Sequence, residues 1–284
     1  MEAVKPQQED HLFVATHEEL SSQAYHEERG HVSSSQLIHV LRTPAHFLYH
    51  SLEGSSEESD LMRMGTAVHC MVLEPKEFQN RYVFAPRNYD KRYKVDQAEA
   101  KAIAESYPGK IILEQRDQIT LKKIVAGLQN HAMARQLLAA EGQPELSIFW
   151  RDDLTGLDLK VRIDRFVKLG STGVMLEVKS TDNASPEAFG RKIVDMDYDL
   201  RAVMYADGLK RAYGFTPSIV WLVIERETGF VALYQPTPKM LTRAWRRYEE
   251  ARIALAHAKK FNSWPAYQTG ESIEPIDLPR WIRN

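Results

Sequence analysis

Residues 161–179 read VRIDRFVKLGSTGVMLEVK. Val161, Ile163, Phe166 and Val167 alternate with polar residues, the turn GSTG follows, and Val174 to Val178 is apolar again, which predicts two β-strands joined as a hairpin. Each strand carries an acid where a core strand needs none: Asp164 in the first and Glu177 in the second. Antiparallel pairing places these carboxylates side by side. Glu177 and Lys179 are two apart, so they share a face at a spacing of about 7 Å, while Leu176 and Val178 turn to the other side. Two acids and a lysine then occupy one surface. Hard oxygen ligands of this kind suit Mg²⁺, with Mn²⁺ as a substitute, and a cation there activates water against a phosphodiester. A salt bridge on an ordinary hairpin uses the same three residues, so the stretch by itself decides the fold and leaves the chemistry open.

Outward from the hairpin, the period of two persists in strands over 146–151, 157–169, 174–179, 218–225 and 230–235. Helical spacing is predicted over 197–213 and 238–261, and upstream over 62–73 and, as one long helix, 115–140. Ser33 to Ser35 cap a short helix that ends before Thr43-Pro44. Gly65 inside the 62–73 helix costs about 1 kcal/mol relative to alanine, which suggests a close approach there. Residues 51–60, SLEGSSEESD, read as an acidic loop. The order of helices, three strands, helix and two strands predicts an α/β fold: a central mixed β-sheet flanked by helices.

Composition bounds the function. The chain has 284 residues, 43% of them hydrophobic, and a single cysteine, Cys70, so neither a disulfide framework nor a thiolate metal cage is available. No apolar run is long enough for a membrane helix, and the start MEAVKPQQED lacks the order of a secretion signal. A cytoplasmic protein with no membrane partner is the expectation. The net charge is -2, yet residues 1–60 hold three basic groups and eleven acids, which leaves an excess of six positive charges in the remainder. A basic face on the body follows as a possibility, with solvated surface as the plainer account. Residues 1–32 read as a flexible polar leader ahead of one domain over 33–284. Seven of the ten histidines precede residue 51 without the pairing a zinc site wants, and solvent exposure is their expected state.

The stretch around Asp164, the LEVK that follows and the helix carrying RAVMYADG together resemble the PD-(D/E)xK nuclease superfamily. MRMGTAVHCMVLEP (62–75) is similar to the G-x-x-x-H helix of its RecB-like branch. RYVFAP, ELSIFW, DLKVRIDRF, LEVKST, YADGLKRAYG and WPAY with LPRW occur in the same order in the RecE (exonuclease VIII) carboxy-terminal nuclease family, a resemblance that covers residues 33–284. It implies a PD-(D/E)xK nuclease-like core with Asp164, Glu177 and Lys179 as catalytic residues. It also implies metal ligation by His69, Asp164, Glu177 and the Val178 carbonyl, with Glu145 either on a second cation or facing solvent. The activity implied is a Mg²⁺-dependent exonuclease that degrades the 5' strand of linear double-stranded DNA and leaves 3' single-stranded tails. A homo-oligomeric ring and a RecT-type single-strand annealing protein as partner in phage-related recombination come with the same resemblance. Other RecB-like single-strand or structure-specific nucleases, and a non-catalytic DNA-end binding module, are the alternatives.

That family has Gln and then Tyr four residues later on the helix after the lysine strand; here Arg201 and Tyr205 stand there. An i, i+4 pair shares a helix face, so Arg201 can reach a phosphate from that place, or it can pair with Asp197 or Asp199. The basic and aromatic stretch 87–94, with Arg87, Lys91, Arg92 and Lys94, and the helix segment RAWRRYEEAR (243–252) offer DNA-backbone contacts or solvated faces.

Overall fold

The structure is a computed structural model and describes residues 12–52, 60–90, 92–268, 270 and 273–278. Its elements in chain order begin with β1 (Leu12–Ala15), α1 (Ser22–Glu27), β2 (Val32–Ser33), α2 (Ser34–Arg42), α3 (Pro44–Leu52), α4 (Asp60–Leu73) and α5 (Pro75–Arg81). The middle holds β3 (Tyr82–Phe84), α6 (Lys94–Ser106), β4 (Ile111–Leu113), α7 (Gln115–Asn130) and α8 (Ala132–Ala139). The remainder is β5 (Gln143–Arg151), β6 (Asp158–Leu169), β7 (Thr172–Thr181), α9 (Pro186–Asp195), α10 (Tyr198–Tyr213), β8 (Ser218–Glu225), β9 (Val231–Tyr234) and α11 (Pro238–Phe261).

The main sheet runs β1-β5-β6-β7-β8-β9, with the short β2 parallel to the start of β6. Only β7 and β8 pair in parallel along the main path, joined by the crossover α9–α10; the other pairs are antiparallel. This is the expected mixed sheet. β8 is buried on both faces, and its side chains divide by parity: Ile219, Trp221 and Val223 enter one core, Val220, Leu222 and Ile224 the other. The first core lies under α2, α9, α10 and α11, with Phe189, Leu200, Tyr248 and Leu255 against β5 and β6. The second lies under α4, α7 and α8, with Val68, Leu121 and Ile124 against Leu176 and Val178. β7 alternates between them, so Glu177 and Lys179 fall on the side of Met175, which faces α10.

The β6–β7 ladder runs from Leu169↔Thr172 to Arg165↔Leu176 and stops there. Asp164 and Glu177 are the next pair in register, at the point where the strands separate. Side chains replace the ladder: Asp164 Oδ2 accepts from the Val178 amide at 2.7 Å, and Glu177 Oε1 accepts from the Asp164 amide at 3.4 Å. The sequence motif therefore sits where the sheet opens. Gly65 meets only ordinary contact, because a β-carbon there would lie 4.0 Å from Ser180 Oγ. The close approach is instead at Gly127 of α7, where a β-carbon would stand 1.8 Å from the Gly229 carbonyl oxygen in the β8–β9 turn.

Two expectations change. The helix read over 115–140 is two helices: His131 leaves helical geometry at φ -93°, ψ 99°, and its Nδ1 accepts from the Ala134 amide to start α8. The leader reading of 1–32 does not hold for residues 12–32. β1 pairs with β5 from Leu12↔Trp150 to Ala15↔Ser147, and Tyr25 is buried. The cause is a buried cation: Lys160 Nζ donates to the Tyr25 and Glu28 carbonyls, sits 3.4 Å from Glu28 Oε2 and lies over the Tyr25 ring. The acidic loop read over 51–60 falls at 53–59 outside the described residues.

Deleting residues 1–30 should therefore destabilise the protein by about 1.5–3 kcal/mol or more, because β5 loses its β1 partner, the burial of Tyr25 is lost and Lys160 loses its contacts. Urea unfolding followed by circular dichroism measures this, and the same deletion in a Lys160→Met background should cost less.

Candidate active site

Three carboxylates converge at the opening between β6 and β7. Asp164 comes from β6, Glu177 from β7, and Glu145 from β5, where it stands opposite Asp164 in a register that continues unshifted on both sides. Glu145 has φ +50°, in the left-handed region that a residue with a β-carbon rarely adopts, at a cost on the order of 1–3 kcal/mol. The sheet tolerates it because Leu146↔Ile163 and Pro144↔Arg165 lock the backbone on either side. His69 reaches the same place from α4 on the opposite face, where Ala67 and Val68 beside it are fully buried. Its Nδ1 lies 3.7 Å from Asp164 Oδ2.

Ligand atoms of His69, Glu145 and Asp164 all lie within 4.8 Å of one another, a spacing that one metal ion can bridge. The side chain of Glu145 is only 18% exposed and its Oε2 accepts from Arg162 Nε at 2.7 Å, so the solvent-facing alternative does not hold. Glu177 stands just outside this triad. Lys179 Nζ bridges the parts, 3.0 Å from Glu177 Oε2, 3.6 Å from Asp164 Oδ2 and 3.1 Å from the Val178 carbonyl that it donates to. Lys179 also lies 5.4 Å over the Tyr198 ring of α10.

The charges do not cancel. Glu145, Asp164 and Glu177 outnumber the two cations that face them, Arg162 and Lys179, and that surplus of carboxyl donors in a buried place marks a cation site by the chemistry of its donors. Burial, and then the Asp164 carboxylate, push the Glu145 pKa up to about 7 and that of Glu177 up to about 8. Burial works against the Lys179 ammonium, but Asp164 and Glu177 outweigh it and hold its pKa above the ordinary lysine value. Both pKa values move up, so the ammonium is favoured and the Glu177 carboxylate disfavoured, because one lysine faces two carboxylates. Burial lowers the His69 pKa against the pull of Asp164, which keeps the ring neutral and able to ligate.

Tyr205 lies beside this group: its phenol accepts from Ser34 Oγ at 3.4 Å, and burial, followed by Glu177, raises its pKa. Arg201 is one turn away, and its pairing with Asp197 or Asp199 does not occur. Arg247 holds Asp197 at 2.5 Å and Arg243 holds Asp199, while Arg201 donates to Ser35 Oγ at 2.8 Å and to the Met196 carbonyl at 3.4 Å. The segment 243–252 is thereby mostly structural, with Arg252 buried against Asp152 at 2.5 Å. Stretch 87–94 is also internally paired where it is described: Arg87 binds Asp96 and Glu99, and Arg92 binds Asp90. Lys94 begins α6, and Lys91 lies outside the described residues. Arg162, which fixes Glu145, went unnoticed in the sequence; its signal is a charged residue two before Asp164 inside an apolar strand.

The family described as a PDDEXK-like domain of unknown function (DUF3799) matches residues 33–278. The chain belongs to this PDDEXK-like family. Among solved structures, a candidate exonuclease from Eubacterium rectale superposes on this PDDEXK-like domain with a TM-score of 0.55 at 12% identity, over 91% of this chain and 96% of that one. That likeness is one of fold. SSO0001 also aligns, at 12% identity over 84% of this chain and 89% of that chain, with a TM-score of 0.28. No curated protein sequence matches the chain. The PDDEXK-like nuclease fold places β6, β7 and the helix bearing Tyr205 together, and among the described residues no helix is long and apolar enough to cross a membrane.

The raised carboxyl pKa values set a pH dependence. A carboxyl group whose pKa is higher folded than unfolded stabilises fully below its ordinary value of 4.5 and loses that contribution as pH rises through the folded value. Thermal stability of the metal-free protein should therefore fall between about pH 4.5 and pH 8. Glu177→Gln should flatten that slope, and Mn²⁺ should oppose the fall in the wild type, both read by differential scanning calorimetry.

Proposed function

We propose that this protein is a divalent-metal-dependent DNA exonuclease of the RecE type, degrading the 5' strand of linear duplex DNA to leave 3' single-stranded tails. The observation that carries the reading is the convergence of His69, Glu145 and Asp164 beside the Glu177–Lys179 pair, in a chain of the PDDEXK-like family. Strand polarity, a homo-oligomeric ring, a cytoplasmic location and cooperation with a RecT-type annealing protein rest on the sequence resemblance.

His69, Glu145 and Asp164 would hold the cation, Mg²⁺ or Mn²⁺, with Glu177 and the Val178 carbonyl adjacent to it. When bound, it would neutralise charge on the scissile phosphate and make the attacking water more acidic. Lys179, held as an ammonium by Asp164 and Glu177, is placed to donate to the phosphate oxygen and to orient the attacking water. Its contacts to Glu177, Asp164 and the Val178 carbonyl limit the positions Nζ can take. Arg201, half-buried on the Tyr205 face and bound to a serine hydroxyl rather than to an acid, can exchange that neutral partner for a phosphate.

Asp164→Ala, Glu177→Ala and Lys179→Ala should each reduce digestion of linear duplex at least about a hundredfold while the protein stays folded. His69→Ala should raise the Mn²⁺ concentration needed by about tenfold to a hundredfold. Linear duplex labelled at either the 5' or the 3' end, with closed circular DNA as control and EDTA as blank, tests the reading. Early release of 5' label from the linear form alone is the expected result, and cutting of the circle at a similar rate would point to an endonuclease instead.

Arg201→Ala should weaken turnover on the same duplex by about tenfold or more, the value of a charge-assisted hydrogen bond of about 1.5–3 kcal/mol, while Arg201→Gln keeps part of it. An alanine variant as active as wild type would remove Arg201 from the substrate site.

A further inference from the structure

Away from the carboxylates, α2 and α3 gather cationic and imidazole groups. Residues 34–52, which form α2 and α3, contain Arg42, His39, His46 and His50 and neither Asp nor Glu. The rings of His39 and His50 stack with centroids 3.9 Å apart at 22°. Arg201 of α10 joins them through Ser35 Oγ, one turn of α2 before His39. At the far end Arg42 Nε donates to the Tyr267 hydroxyl at 2.6 Å, and the Tyr267 ring sits edge-on to His46 at 5.3 Å.

Among the described residues, the groups that bear most on His39 act in one sense. Burial and then His50, Arg201, His46 and Arg42 lower its pKa from 6.5. On α11, which packs beside α2, Arg243 and Arg247 are committed to Asp199 and Asp197, so these acids are already paired. Elsewhere on the surface arginines come with their own acids, as at Arg87 and Arg92; here, among the described residues, Arg42 and Arg201 meet hydroxyls and a backbone carbonyl. Like charges gathered without a counter-charge call for an anion from outside the chain. The surface also starts at the active site, since Ser34 bonds Tyr205, whose phenol feels Glu177 and Lys179. At 1.5 Å per residue the step from Ser35 to Arg42 is about 10 Å, or about three nucleotides of one strand.

We propose that the α2–α3 face is a phosphate track for the nucleic-acid strand that enters the active site, leading from Arg201 over the stacked His39 and His50 to Arg42 and His46. It rests on the nuclease reading above. An arriving phosphate favours the protonated form of His39, which burial and the neighbouring cationic groups disfavour, so binding takes up a proton and tightens as pH falls. Tyr267 holds the Arg42 guanidinium at the end of the track.

The test is fluorescence anisotropy of a short labelled duplex with Ca²⁺ in place of Mg²⁺, at about pH 6 and pH 8 over a series of salt concentrations. Wild type should bind more tightly at pH 6. His39→Gln/His50→Gln should lose that pH response and bind about tenfold more weakly at pH 6, with the slope of log affinity against log salt shallower by about one to two. Arg42→Gln should weaken binding at both pH values. All variants should keep the wild-type kcat at saturating duplex with Mg²⁺, and the effect should appear in KM. Wild-type affinity and salt slope in both the double variant and Arg42→Gln, with thermal midpoints unchanged, would overturn the track while leaving the nuclease reading in place. A fall in kcat with unchanged affinity would also overturn it. A wild type that digests no DNA yet shows the pH-dependent binding, lost in the double variant, would sink the nuclease reading and support the track.

Discussion

Three carboxylates crowded at one opening of the sheet are the constraint on which the rest depends. Glu145, Asp164 and Glu177 repel one another in a poorly solvated place, and burial alone would favour their neutral forms. The fold counters this with backbone amides, since the parting of β6 and β7 frees the Val178 and Asp164 amides to donate to carboxylates rather than to a ladder. It also counters with Lys179 and Arg162, one on each side of Asp164. What remains is one carboxyl more than the cations compensate, with a neutral imidazole beside it, a donor set that a divalent cation completes by displacing a proton.

Much of the structure can be traced from that opening. Arg162 is held by Glu145, Ser147 Oγ and the Leu20 carbonyl, so the amino-terminal segment, through Leu20, and the edge of β5 act together on one site carboxylate. Lys160, two residues earlier, anchors the same segment through Tyr25 and Glu28. α10 contributes from the other face: Leu200, Val203, Met204 and Leu209 fill the core while Tyr205 and Arg201 look toward the carboxylates and α2. The left-handed backbone of Glu145 is affordable only because pairs of ladder residues bracket it.

The sign of each charged group also separates two kinds of surface. The arginines of α11 and of the stretch after β3 are bound to acids near them in sequence or space, and they stabilise the fold. Arg201 and Arg42 are bound to hydroxyls and lie at α2 and α3, whose residues 34–52 hold neither Asp nor Glu. Counting basic residues in a segment does not distinguish these cases, because the partner that neutralises an arginine can be tens of residues away.

The sequence by itself determined the β6–β7 hairpin, β8, α10 and α11, because alternation and helical spacing are local and the turns carry their own glycines. It also determined that Asp164 and Glu177 oppose each other and that Glu177 and Lys179 share a face, since both follow from the two-residue period of a strand. His69 and Glu145 were legible only through their family-like blocks, as nothing in their own neighbourhoods tells which way they face. Tertiary structure alone decided that Glu145 joins His69 and Asp164, that Arg162 restrains it, that residues 12–33 extend the sheet, and that Arg201 meets Ser35 while Asp197 and Asp199 go to α11. Each of these is a contact across more than a dozen residues of chain, set by how two cores close on opposite faces of one sheet and by which charges that closure buries together.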